Sequence, residues 1–431
     1  MTLPRIIHIE EELNPAARLQ GCRAEEIGKA INGMKAITVA GFIMGSFLVT
    51  STLGDHEKNK AAAPMITIFL CGDVMTGRGI DQVLPHPNDP VLHEPYMKSA
   101  KGYVELAEEA NGPIPRPVDH AYIWGDLLRE LEQRAPDVRI INLETSVTRS
   151  DDYWKGKEVL YRMHPENAPC LTAAKIDICS LANNHVLDWG YPGLQETLET
   201  LRKINIRSAG AGWNLIEAER PAVKEVKGKG RIIFLSLGAT TSGIPPSWAA
   251  ATGKPGVNLL SDFSEKSVQA IRKKVQEVKQ GGDIVVASIH WGGNWGYEVA
   301  QEQREFARRL IDHAGIDVIH GHSSHHVKGF EVYRNRLILY GCGDFLTDYE
   351  GIAGYEYYRG DLGLMYFVTV EPASGKLLGL TMVPTQVKRF RINRVSGPDA
   401  LWLRDILNRE GKKYETQVEL DEEGALALVR K

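Results

Sequence analysis

The chain has 431 residues, 43% of them hydrophobic and 25% charged, with a formal net charge of −4. That length supplies ample material for a sizeable core, and the near-average composition excludes a disordered, collagen-like or polytopic membrane chain. Lys and Arg total 51 against 55 Asp and Glu, so no global field draws the chain to nucleic acid; five cysteines without a C-x-x-C pair give neither a disulfide framework nor a zinc-thiolate site.

The first feature in chain order is 36–54 (AITVAGFIMGSFLVTSTLG), 19 residues without a charge and just long enough to cross a bilayer. The extension before it, 1–35, carries five basic and five acidic side chains and is longer and less basic than a signal-peptide start. The segment reads either as a membrane anchor or export signal, or as a buried or surface-lying amphipathic element. The protein is membrane-anchored in the first case and cytoplasmic in the second.

Beyond Pro64 a rhythm sets in. An apolar, β-branched run over 66–71 predicts a strand ending in Gly72-Asp73. Between Asp81 and His120 seven prolines predict a long structured loop, of the kind that serves as a lid, with one helical piece over 103–110. Helices are expected over 124–134, 168–174, 194–203, 264–279 and 301–313, and strands over 138–141, 176–181, 231–237, 284–289 and 318–319. This helix–strand alternation is the α/β signature. In the tail the alternation gives way to consecutive strands over 337–341, 363–370 and 377–383, with a hairpin turn at Ala373-Ser374-Gly375-Lys376. A helix over 399–409 and an edge strand over 417–420 follow them. Cys71, Cys179 and Cys342 fall on or beside these strands, where reduced, buried thiols are expected; that leans against an oxidising compartment.

The chemistry lies at the strand ends. In order they carry Asp73, Asn142 and Glu144, Asn183-Asn184-His185, His290, and His320, His322, His325 and His326. Each piece alone has a plain structural explanation, as a turn, a helix cap, a satisfied core imidazole or a surface histidine patch. Together, at the C-terminal ends of apolar strands, they converge on one rim of a sheet. Nitrogen and oxygen donors without thiolate suit Mn, Fe, Zn or Mg. One or two such divalent ions would hold a phosphate and activate water for phosphoester hydrolysis.

These residues resemble a known family. The stretches Gly72-Asp73-Val74-Met75-Thr76-Gly77-Arg78, Asn142-Leu143-Glu144, Ala182-Asn183-Asn184-His185-Val186-Leu187-Asp188-Trp189-Gly190, His290-Trp291-Gly292 and Gly321-His322-Ser323-Ser324-His325 look like the successive motifs of the CapA family. That family includes poly-γ-glutamate capsule biosynthesis proteins and belongs to the calcineurin-like metallophosphatase superfamily. The resemblance implies a four-layer αββα sandwich with its site at the ends of the central strands. The domain is expected over 65–390, ending in the antiparallel strand pair read above, with the helix and strand of 391–431 packed on it. The resemblance further implies Asp73, Glu144, Asn184, His290, His322 and His325 as metal ligands and His185 as the general acid. Asp188 would orient His185; Arg78 reads either as a phosphate or carboxylate clamp or as a structural ion pair.

Two departures accompany the match. Met75 stands where metallophosphatases carry a histidine, a trait shared with the CapA pattern, and Ser323-Ser324 replace the family's usual His-Pro. The expected function is therefore a CapA-like metal-dependent hydrolase of phosphoesterase type. The alternative is a non-catalytic, membrane-anchored accessory protein for assembly or export of an anionic polymer such as poly-γ-glutamate. Expected partners are an anionic small-molecule or polymer substrate and a membrane biosynthesis complex, without nucleic acid.

Overall fold

A computed structural model of the chain describes residues 64–429. The extension 1–35 and the apolar segment 36–54 lie outside the described residues; among the described ones no helix is long and apolar enough to cross a membrane.

Two sheets stack face to face with helices on both outer surfaces. The larger sheet runs Asp344–Leu346, Asp73–Val74, Val138–Leu143, Ile66–Leu70, Leu362–Glu371 and Lys376–Lys388, then Leu426–Leu428 and Val418–Leu420. Ile178–Ser180 and Arg207–Ala209 extend it from Val138–Leu143, and Arg391–Arg394 pairs with Lys376–Lys388. The second sheet orders Phe330–Tyr333, Arg336–Leu339, Val318–His322, Ile284–His290, Gly230–Gly238 and Ala222–Val226. Its four central strands are parallel and its two edges antiparallel.

Alternation along the strands builds the layers, because successive side chains point to opposite faces. Ile66, Ile68, Leu70, Val138 and Ile140 face inward against Ile232, Phe234, Ile284, Val286 and Val318 of the second sheet. Their neighbours Phe69, Ile141, Leu143 and Cys179 face outward and pack on Leu127, Leu131, Leu171 and Leu194 from helices Leu127–Arg134, Pro169–Ala173 and Gly190–Lys203. On the far side Ile233, Val285, Ala287 and Ile319 meet Val268, Ile271, Phe306 and Leu310 of helices Glu265–Val278 and Gln301–Ala314. The result is the αββα sandwich, with Leu362–Glu371 and Lys376–Lys388 as its long antiparallel pair.

Some expected elements differ in detail. The helix expected over 124–134 is split: a 3-10 turn, Tyr122–Trp124, precedes Gly125 at φ 47°, and the helix is Leu127–Arg134. A Cβ on Gly125 would stand 2.2 Å from the Ile392 carbonyl oxygen, so the packed strand Arg391–Arg394 forces the break. Inside the proline-rich stretch the helix is Lys101–Asn111, and Leu92, Ala100 and Tyr103 give that stretch a small core of its own. The described cysteines, Cys71, Cys170, Cys179 and Cys342, are all free and buried.

Candidate metal centre

Parallel pairing delivers the site residues side by side. His290 stands opposite His322 in the second sheet, and Ser288 opposite His320. In the larger sheet Asp73 lies between Asn142 and Asp344. Gly72 permits this close approach: a Cβ there would sit 1.9 Å from the Gly343 carbonyl oxygen, which accepts from the Asp73 backbone N–H at 2.9 Å.

Asn142 organises the carboxylates. Its Nδ2 donates to Asp73 Oδ1 at 2.7 Å and to Glu144 Oε2 at 3.1 Å. Asn183 holds Asn142 in turn, donating to its Oδ1 at 3.1 Å and to the Leu143 carbonyl at 2.9 Å. Asp73 Oδ2 also accepts the Ser323 backbone N–H at 3.1 Å. Facing this pair, the Nδ1 atoms of His290 and His322 stand 2.7 Å apart, and His322 Nδ1 is 3.8 Å from Asp73 Oδ1. His290 Nε2 lies 3.0 Å from Asn184 Oδ1 and 3.9 Å from Glu144 Oε1. Beside them His325 Nδ1 shares its contact between the two oxygens of Asp344, at 3.0 and 3.1 Å.

The carboxylates, His290 and His322 are buried, while Asn184 and His325 are partly exposed. Asp73 is 2% exposed, Glu144 4% and Asp344 3%, and among the described residues their ion-pair partners are imidazoles only. Burial pushes the Asp73 carboxyl up to about 6, and burial next to Asp73 raises Glu144 as well. Burial also holds His290 and His322 well below the ordinary imidazole range. Buried carboxylates facing neutral imidazoles, with no ammonium or guanidinium paired to them, fit a divalent cation. Ligand atoms of Asp73, His290 and His322 all lie within 4.8 Å of one another.

His185 marks a second edge of the candidate site. Its Nε2 is 3.9 Å from Glu144 Oε1, while its Nδ1 meets Asp188 Oδ2 at 2.7 Å and Lys157 Nζ at 2.9 Å. Lys157 also donates to Asp188 Oδ1 at 2.6 Å, and the Tyr161 ring stacks on the imidazole at 3.8 Å. Burial pushes the Asp188 carboxyl up to about 7; burial and the neighbouring Lys157 hold His185 well below its usual range. His185 and Asp188 sit on a turn before helix Gly190–Lys203 rather than on a helix.

Of the two readings of Arg78, an anion clamp or a structural ion pair, its contacts match the second. Its guanidinium is engaged by Asp348 through two nitrogens, by Glu94 at 3.1 Å and by Tyr103 Oη at 2.9 Å, and the residue is only 3% exposed. With its fork filled by two buried carboxylates, it is an ion-pair hub and not a free clamp for a substrate anion. The sequence reading missed Lys157 and Asp344 as neighbours of the site. Gly343-Asp344 repeats the signature of Gly72-Asp73 and was findable; Lys157 lies in an irregular stretch that carries no pattern.

The chain is similar to proteins of known sequence and structure. The family model described as "Bacterial capsule synthesis protein PGA_cap" matches residues 67–349. A probable polyglutamine synthesis accessory protein of Mycobacterium tuberculosis is 48% identical over 366 residues, covering 85% of this chain and 96% of that protein. The PGA biosynthesis protein CapA of Bacillus subtilis is 33% identical over 316 residues, covering 73% of this chain and 71% of that protein. Among solved structures, a novel phosphatase of Mycoplasma pneumoniae aligns with a TM-score of 0.40 at 11% identity, covering 76% of this chain and 96% of that one. The extent of the family match and the identity to these relatives show that the chain belongs to the bacterial capsule synthesis protein family, PGA_cap.

Proposed function

We propose that the protein is a metal-dependent hydrolase acting on a phosphorylated or otherwise anionic ester or amide during synthesis of a polyglutamate polymer. The observation that carries this reading is the position of His185, backed by Asp188 and Lys157, at the edge of a buried set of oxygen and nitrogen donors. Asp73, Glu144, Asn184, His290, His322 and His325 would hold one or two divalent ions. Such ions supply Lewis-acid polarisation of a phosphoryl or acyl oxygen.

The chain's own groups do the rest. Asn142 and Asn183 fix the carboxylates through the hydrogen bonds given above, so no reorganisation is needed as charge develops. Lys157 donates to Nδ1 of the His185 ring and Asp188 lies beside it, so the hydrogen of the neutral imidazole sits on Nε2, turned toward Glu144, where it hydrogen-bonds and stabilises the leaving oxygen. The Tyr161 ring covers one face of the imidazole and limits water on that side.

The test is hydrolysis of an aryl phosphate by the full chain with added Mn. Asp73→Asn and His185→Ala should each lower the rate by about 100-fold or more. A wild-type protein that holds metal and stays inert would sink the hydrolase reading. It would favour instead an accessory role in polymer synthesis, the reading that the name of the mycobacterial relative supports.

A further inference from the structure

His320 is fully buried, lies one residue from the Gly321-His322 pair and takes no part in the centre described above. Its Nε2 stands 2.7 Å from the backbone carbonyl oxygen of Cys71, and its Nδ1 stands 3.1 Å from Ser288 Oγ. Ser288 Oγ lies 2.8 Å from His322 Nε2. All three side chains are 0% exposed, and no other side chain among the described residues hydrogen-bonds to them except His290, which meets His322.

This line of contacts has only one direction. A carbonyl oxygen accepts and never donates, so the proton at the first link sits on His320 Nε2. A buried imidazole without a carboxylate partner is neutral, so His320 Nδ1 carries a lone pair and takes the Ser288 hydroxyl proton. The serine oxygen is then an acceptor, and the proton facing it belongs to His322 Nε2. Neutral His322 is left with a bare Nδ1, the atom that points at Asp73 and His290.

We propose that the Cys71 carbonyl, His320 and Ser288 form a fixed relay that locks His322 in its Nε2–H tautomer and thereby presents a bare Nδ1 to the centre. The same rule applies to His290, whose Nε2 lies 3.0 Å from the amide oxygen of Asn184: that oxygen accepts, so the proton of a neutral His290 sits on Nε2 and its Nδ1 is bare. Two bare Nδ1 atoms then face each other 2.7 Å apart, a surplus of lone pairs at the place where a cation is wanted. His320 and Ser288 are positioning residues: they act through His322 and touch neither ion nor substrate.

The inference rests on the metal-centre reading only for its affinity arm. The tautomer can be read in metal-free full-length protein by long-range 1H–15N correlation of 15N-histidine, with His322→Gln supplying the assignment. The expected spectrum has His322 protonated at Nε2 in wild type, and a mixture of tautomers or the Nδ1–H form in Ser288→Ala. His322 found as Nδ1–H in wild type, or unchanged in Ser288→Ala, would overturn the proposal. In the second arm, Mn binding by calorimetry should weaken about 10- to 100-fold in Ser288→Ala, the range typical for loss of an outer hydrogen-bond partner, while Ser288→Thr keeps the hydroxyl and binds nearly as wild type. Equal Mn affinity in folded Ser288→Ala and wild type would also overturn it. If wild type binds no Mn at all, the metal reading fails, and the tautomer spectrum still decides the relay.

Discussion

Lys328 shows how burial alone sets a pH dependence. The residue is 8% exposed, among the described residues its Nζ donates only to the Glu298 carbonyl, at 3.4 Å, and burial pulls its pKa down from 10.5 to about 8. Below pH 8 the amine is charged in both the folded and the unfolded chain, and the folded state bears the full cost of burying it. Between pH 8 and 10.5 the unfolded chain holds a proton that the folded one has released, so stability rises with pH across that window. The shift corresponds to at most about 3 kcal/mol. Lys328→Met should therefore melt above wild type at pH 7, with the gap narrowing by pH 10; a gap that does not change with pH would contradict this. Arg78 is the opposite case, a buried cation whose two carboxylates, Glu94 and Asp348, keep it charged.

At the level of elements, the apolar runs before Asp73, Asn142, His290 and His322 made the central strands legible in the sequence, because a buried strand writes its own pattern. Their order in two sheets was not legible, since pairing is set by partners far along the chain. Short strands such as Arg207–Ala209 and Arg391–Arg394 also exist through their neighbours more than through their own residues. The same logic divides the site. Asp73, Glu144, Asn184, His290 and His322 could be named because each ends or follows a patterned run, whereas one of the two carboxylates that hold Arg78, Asp348, is 270 positions away. Gly72 is the element-scale hinge of this arrangement, since it lets the strand carrying Asp344 lie against the strand carrying Asp73. Gly72→Ala should push those strands apart, lower stability by about 1–3 kcal/mol and weaken metal binding together with it. Denaturant melts paired with Mn titration check this, and an unchanged midpoint would contradict it.

Across the whole molecule, the candidate ligands come from both layers: Asp73 and Glu144 from the larger sheet, His290 and His322 from the smaller. Between their inner faces the two sheets meet mainly through apolar side chains, with a few polar links such as His320 to the Cys71 carbonyl and Ser180 to Ser236. A cation bound at this edge would tie one sheet to the other, and ligand that binds only the folded state adds stability by mass action, about 2.7 kcal/mol at 100 times Kd. The same tie explains why the outward-facing helices can be ordinary amphipathic packing, while the strand ends carry nearly all the buried polar groups of the site. The decisive measurement is elemental analysis of the purified full-length protein, combined with its melting temperature before and after chelator and after Mn is restored. The expected result is at least one tightly held divalent ion, a fall of several degrees on chelation, recovery with Mn, and none of these responses in a folded Asp73→Asn, His322→Ala double variant. A metal-free protein whose melting temperature ignores both chelator and Mn would contradict the metal centre itself.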